Sequence, residues 1–135
     1  MPLMPFSSEN TFKASAALLV VFGLQMLLVP EFLLSQNFTG TIRLDRWHHF
    51  IFRGCGAAFL SSASFYWNTA KEADKYMLGA TVTWITVAAV LPWYAQMNLP
   101  VKNPMHLVPT IGTLLLAASH VKCLATAPKA KKSRR

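Results

Sequence analysis

The stretch that decides the fold is ASAALLVVFGLQMLLVPEFLL, residues 14–34, which carries no charge until Glu31. A helix needs about 20 apolar residues to cross about 30 Å of hydrocarbon, and the uncharged part, residues 14–30, is close to that length. Pro30 and Glu31 mark the point at which the apolar run ends. The stretch therefore predicts a first membrane-spanning helix.

Three further apolar segments follow, at residues 47–67, 76–97 and 105–124. Each is long enough to cross a bilayer as a helix, and a helix satisfies its own backbone hydrogen bonds in lipid. The connections between them are short, which places consecutive helices side by side and antiparallel. The predicted fold is all-α, a four-transmembrane-helix up-down-up-down bundle over residues 1–124, followed by a basic tail at 125–135.

The composition supports a membrane protein over a soluble domain. Hydrophobic residues make up 53% of the chain and charged residues only 13%, against about 25% charged in an average soluble domain. The mean hydropathy is +0.35. The tail sequence KAKKSRR has no interleaved aromatic residues, so we expect it to contact anionic lipid headgroups and not nucleic acid.

The basic residues are distributed unequally between the two predicted sides of the membrane. Nine lie on the side that carries both termini and four on the other, which places the termini in the cytoplasm or its equivalent. The nine are Lys13, Lys71, Lys75, Lys122 and five tail residues; the four are Arg43, Arg46, Arg53 and Lys102. The sequence does not identify which membrane this is.

A polar stripe is predicted where the second segment begins. Asp45, His49 and Arg53 recur every four residues and so share one face of a helix. Three interpretations of Arg53 follow: its side chain extends back to the headgroups, it contacts Asp45 or a backbone carbonyl inside the bundle, or it binds an anionic ligand. Asp45 would belong to the same ligand site.

Histidines are the candidate cofactor ligands. His49 and His106 are both predicted near the outer side, and they form the pair that could hold a haem between two helices. Chlorophyll needs a single axial ligand, for which Gln25 in the first segment is a further candidate. The alternative is that these side chains are interfacial polar residues and that no cofactor is required.

Small residues recur at four-residue steps just after Arg53, at Gly54, Ala58 and Ser62. This spacing lets two helix backbones approach closely in lipid. We expect these three residues to form the face by which the second segment packs against its neighbours.

Two stretches give the chain a likeness to a known family. The order FGLQMLLVPEFLL, a short loop, then RWHHFIFRGCGAAFLSSASFYW resembles the DoxX-like small four-helix membrane proteins, with Pro30, Arg53, Gly54 and Gly56 at the matching places. The resemblance covers about residues 14–67, and the remainder matches by helix count. It implies the four-helix fold, while many members of that family have no known activity.

Function is predicted from what the spans contain and lack. The sequence carries no HExxH, GxSxG, P-loop or glycine-rich dinucleotide motif, and no acidic residue lies deep in a predicted span. This favours a non-catalytic accessory or scaffolding subunit of a larger membrane assembly, in contact with other helices or pigments. The alternative is a protein that binds a small molecule or redox cofactor in an outer pocket formed by His49, Arg53 and His106.

Overall fold

The structure, a computed structural model, describes residues 7–40, 42–102 and 104–126. In this part of the chain the secondary structure is helical, apart from a single isolated β-bridge. The helices are α1 (Ser8–Leu28), α2 (Pro30–Asn37), α3 (Arg46–Asn68), α4 (Ala73–Asn98) and α5 (Leu107–Thr126), and one 3₁₀ turn (Ala70–Glu72) lies between α3 and α4. The all-α class predicted from the sequence is confirmed.

Three of these elements are long and apolar enough to cross a membrane: Ser8–Leu28, Ala70–Asn98 and Leu107–Thr126. Helix α3 has the length but is not among them. Its first two turns contain Arg46, two histidines and Arg53, which lower its hydropathy. The sequence analysis predicted four membrane spans, and in the described part of the chain three helices have the length and hydropathy that a span requires.

The first predicted segment is divided at a proline. Helix α1 ends at Leu28, Val29 leaves the helical conformation with φ −136° and ψ 56°, and Pro30 starts α2. Proline disfavours the helical conformation in the residue before it, and its missing N–H costs nothing at the start of a new helix. The loop predicted after residue 34 is therefore partly helical, since α2 continues to Asn37.

Helices α1 and α3 are antiparallel and touch through their backbones at Gly23 and Gly56. A Cβ atom built on Gly56 would lie 2.7 Å from the Gly23 carbonyl oxygen and 2.8 Å from the Leu27 nitrogen. A side chain at either glycine would therefore force the helices apart. Close approach through small residues is the packing mode typical of helices in lipid.

Among the described residues, α3 does not pack on α1 through the face predicted from its small residues. Gly54, Ala58 and Ser62 are all exposed, and a Cβ atom on Gly54 would meet nothing within 4 Å. Helix α3 touches α1 at Gly56, and the buried Ala63 lies on the same side, about 150° around the helix from the predicted face. Because α3 has small residues on two nearly opposite faces, the sequence pattern alone does not select between them.

Four helices meet around a cluster of aromatic rings near the start of α1. Phe12 of α1 lies 4.9 Å from Tyr66 of α3 between ring centroids, and His120 of α5 stacks on Trp84 of α4 at 6.0 Å. These contacts place the start of α1, the end of α3, the start of α4 and the end of α5 at one end of the structure, called here the terminal end. The opposite end, which includes α2, is called the far end.

Candidate functional site

Asp45 lies at the far end, where its side chain caps helix α3. Its Oδ1 accepts a 2.9 Å hydrogen bond from the backbone N–H of His48, and His48 Nδ1 lies 2.9 Å from the same oxygen. The backbone hydrogen bond from His48, then the side-chain one, lowers the pKa of the exposed Asp45 carboxyl. Asp45 is therefore a helix cap, and it does not contact Arg53.

His49 joins α3 to α2 at the same end. Its Nε2 lies 3.5 Å from Glu31 Oε1, and that carboxylate oxygen also accepts a 3.0 Å hydrogen bond from the Leu44 N–H. The other ring nitrogen, Nδ1, is buried and has no hydrogen-bond partner among the described residues. This arrangement ties α2 and the loop before α3 to the first turn of α3.

His106 is buried beside the connection between α4 and α5. Its ring lies 6.0 Å from the Phe38 ring, and neither ring nitrogen has a hydrogen-bond partner in the described part of the chain. The backbone around it is fixed by the bridge between Phe38 and Val101, in which Lys102 donates to the Asn37 carbonyl at 2.7 Å. Burial of an imidazole without hydrogen-bond partners is costly, and His106 differs from His49 in that both of its ring nitrogens are left for hydrogen bonding or coordination.

The predicted outer pocket is not assembled by contacts in the structure. Arg53 is exposed and makes no hydrogen bond or ion pair with a described residue, and no such contact or ring contact joins His49 to His106. Gln25 is half-buried in α1, and its side chain makes no hydrogen bond with another residue that the structure describes. The described residues contain no group of three or more His, Cys, Asp or Glu that could hold a metal ion.

The surface of the helices is strongly apolar. Trp47, Trp93 and Met97 have 76%, 62% and 80% of their surfaces exposed, and many aliphatic residues of α4 and α5 are also exposed. Contiguous exposed apolar surface of this extent marks contact with a membrane or with other proteins. Such a surface is what a helix presents to lipid.

A buried polar cluster at the terminal end was not predicted from the sequence. His120 is fully buried, and its Nδ1 donates to the Leu116 carbonyl at 2.8 Å, which fixes the proton on that nitrogen. Its Nε2 lies 3.5 Å from Ser15 Oγ, and the Thr11 hydroxyl lies 3.5 Å from Cys123 Sγ. The signal available in the sequence was the four-residue spacing of Thr11 and Ser15 on one face of α1.

These features define an all-helical protein in which three helices could cross a membrane. Within that class the chain belongs to the family described as domain of unknown function DUF8292, whose model matches residues 13–133. Comparison with curated proteins and with solved structures gave no match. The likeness to DoxX-like proteins stays a prediction.

Proposed function

We propose that this protein is a non-catalytic integral membrane protein that serves as an accessory or scaffolding subunit of a larger membrane assembly. The observation that carries the proposal is the apolar outer surface of the helices, together with the exposed face of small residues on α3 that Gly54, Ala58 and Ser62 form. Lipid accounts for the first feature, and another transmembrane helix is the usual partner of the second.

The proposal includes α3 as a fourth span. Helix α3 is antiparallel to α1 and touches it both at Gly56, opposite Gly23, and at Tyr66, beside Phe12. The ten residues between Gly56 and Tyr66 correspond to about 15 Å of helix. Helix α3 as a whole has 23 residues, about 35 Å, so it is long enough to cross the same layer beside a membrane-spanning neighbour, and this supports the up-down-up-down bundle.

With four spans, both termini share one side of the membrane. Lys13, Lys71, Lys75 and Lys122 all belong to the terminal end, whereas Arg46 and Lys102 belong to the far end. The excess of basic residues supports a cytoplasm-equivalent location for the terminal end. The basic tail at 125–135, which lies largely outside the described residues, would then meet anionic headgroups of the same leaflet.

Native gel electrophoresis of membranes extracted with a mild detergent tests the subunit proposal. The wild-type chain should migrate in an assembly much larger than its own 15.0 kDa. Gly54→Leu should reduce that assembly, because the new side chain projects from the small-residue face of α3. Gly112→Leu on α5 is the matched control, since a Cβ atom there also meets nothing within 4 Å. A wild-type chain that migrates alone would contradict the proposal.

Cofactor binding is the second candidate function, and the free ring nitrogens of His106 favour it. One nitrogen of a neutral imidazole is a good ligand for a haem or chlorophyll metal. The visible spectrum of the natively purified protein tests this function: stoichiometric absorption bands that disappear in His106→Ala and persist in the exposed-site control His48→Ala would support it. A spectrum without such bands would contradict the binding of haem or chlorophyll.

A further inference from the structure

Exposed aromatic rings lie at two levels along the helix pair α3 and α4. At the terminal end Phe65 of α3 meets Tyr76 of α4, with ring centroids 5.4 Å apart, and Trp67 follows within one turn. At the far end the exposed rings of the two helices include Trp47, Trp93 and Tyr94. These two groups of rings are called here the terminal level and the far level.

The two levels are separated by the same length of both helices. Trp47 precedes Phe65 by 18 residues, and Tyr94 follows Tyr76 by 18 residues. At 1.5 Å per residue this is about 27 Å of helix, or about 30 Å when it is measured from Trp47 to Trp67. Because Phe65 touches Tyr76 and the two helices are antiparallel, equal lengths of helix bring the far rings to the same height.

The surface between the two levels is apolar. The stretch of α4 from Tyr76 to Tyr94 contains no charged residue, and its three threonines each donate a hydrogen bond to a carbonyl of the same helix. Charged residues begin just outside, at Lys75 beside the terminal level and at Arg46 beside the far level. Arg53 lies about 9 Å inside the far level and is exposed, and its long side chain can extend back towards the headgroups.

The exposure of each tryptophan follows its position along its helix. Trp47, Trp67 and Trp93 lie at the two levels, and 76%, 60% and 62% of their surfaces are exposed. Trp84, near the middle of α4, is only 4% exposed and stacks on His120 in the core. Tryptophan and tyrosine accumulate at the two membrane–water interfaces, where their rings lie at the height of the headgroups. The distribution therefore indicates that each level lies at one interface.

We propose that the two levels mark the two interfaces of a thin bilayer, with a hydrocarbon layer of about 27–30 Å, and that the protein prefers such a bilayer to a thicker one. The helix lengths set an upper limit, because a tilt of the helices shortens the distance between the levels across the membrane. Sterol-rich plasma membranes, at about 32–33 Å, exceed this limit, whereas bilayers of the endoplasmic-reticulum type, at about 27 Å, do not. The inference rests on the proposed membrane location and on α3 as a span.

Depth-dependent quenching of tryptophan fluorescence in lipid vesicles tests where the levels lie. The parent variant carries Trp47→Phe, Trp67→Phe and Trp93→Phe and keeps the buried Trp84, which gives the background signal. With one tryptophan restored at a time, a nitroxide near the lipid headgroup should quench more strongly than a nitroxide near the end of the acyl chain. Ile85→Trp in the same parent is the matched control, because this exposed position lies midway between the levels on α4, and the deep nitroxide should quench it more strongly.

Vesicles of dimyristoleoyl, dioleoyl and dierucoyl phosphatidylcholine test the preferred thickness. The hydrocarbon thickness of each is measured by small-angle X-ray scattering. Competition of each lipid with brominated dioleoyl phosphatidylcholine, followed by the tryptophan fluorescence of the wild-type protein, gives the relative association of the lipids. The lipid whose hydrocarbon layer is nearest to the spacing of the two levels should associate several-fold more strongly than the dierucoyl lipid, which forms the thickest layer of the three.

Two results would overturn the proposal: stronger quenching of the restored tryptophans by the deep nitroxide, or association with the dierucoyl lipid that equals or exceeds that with the thinner lipids. The proposed function can fail separately. A chain that is recovered from cells without detergent would contradict the membrane location, whereas a chain that enters vesicles and gives either of the two results would contradict the interface levels alone.

Discussion

Replacement of Gly56 by alanine should destabilise the contact between α1 and α3. The added Cβ would lie 2.7 Å from the Gly23 carbonyl oxygen and 2.8 Å from the Leu27 nitrogen, and both obstacles are backbone atoms. Ordinary contact begins near 3.4 Å, so α1 must move away by about 0.7 Å. A gap of that size forfeits about a quarter to a half of each dispersion contact along the interface.

The free energy of unfolding should therefore fall by about 1–3 kcal/mol, the usual cost of overpacking. Gly54→Ala is the matched control, because it makes the same chemical change two residues away in the same helix, where nothing lies within 4 Å. Alanine is favoured over glycine in an exposed helix by up to about 1 kcal/mol, so this control should equal or exceed the wild type in stability.

Circular dichroism of the purified proteins in one mild detergent, followed during heating, measures the difference. We expect Gly54→Ala to have the highest thermal midpoint, the wild type the next, and Gly56→Ala the lowest. If Gly56→Ala were as stable as Gly54→Ala, the close crossing of α1 and α3 would be refuted.

Three further predictions use the same measurement. Gly23→Ala should lower the thermal midpoint less than Gly56→Ala does, because its Cβ would meet one backbone oxygen at 3.0 Å and otherwise the movable side chain of Leu60. An equal or larger decrease in the midpoint would contradict this prediction. Asp45→Asn should have the same thermal midpoint as the wild type in acid and a lower midpoint at neutral pH. Because the folded-state pKa of Asp45 is lowered, its charge stabilises the fold fully above about pH 4. This stabilisation is lost as the pH falls through the folded-state pKa. His120→Ala should cost about 2–5 kcal/mol, and His120→Phe, which keeps a ring against Trp84, should cost less.

The positions of the helices could largely be predicted from the sequence. The second segment, predicted at 47–67, differs from α3 (Arg46–Asn68) by one residue at each end, because a capping aspartate before an apolar run is a local signal. The first segment was predicted to start at residue 14, whereas α1 starts at Ser8, because the charged residues Glu9 and Lys13 are typical of a polar segment outside the membrane. In the structure these two residues pair at 2.6 Å within the helix.

The contacts between helices could not be predicted in the same way. The face of α3 that packs is selected by Gly23, a residue of another helix, and α3 itself offers small residues on more than one face. The burial of His120 likewise depends on rings from three other helices, namely Phe12, Tyr66 and Trp84. Periodicity within one segment contains no information about such partners.

The orientation of α3 is the most direct test of the proposed four-span arrangement. In a variant without native cysteines, single cysteines at positions 7, 48 and 68 would be labelled with a membrane-impermeant thiol reagent in sealed vesicles of known orientation. Positions 7 and 68 should react from the cytoplasm-equivalent side only, and position 48 from the opposite side only. Labelling of positions 48 and 68 from the same side would mean that α3 does not cross the membrane, and would contradict the four-span account.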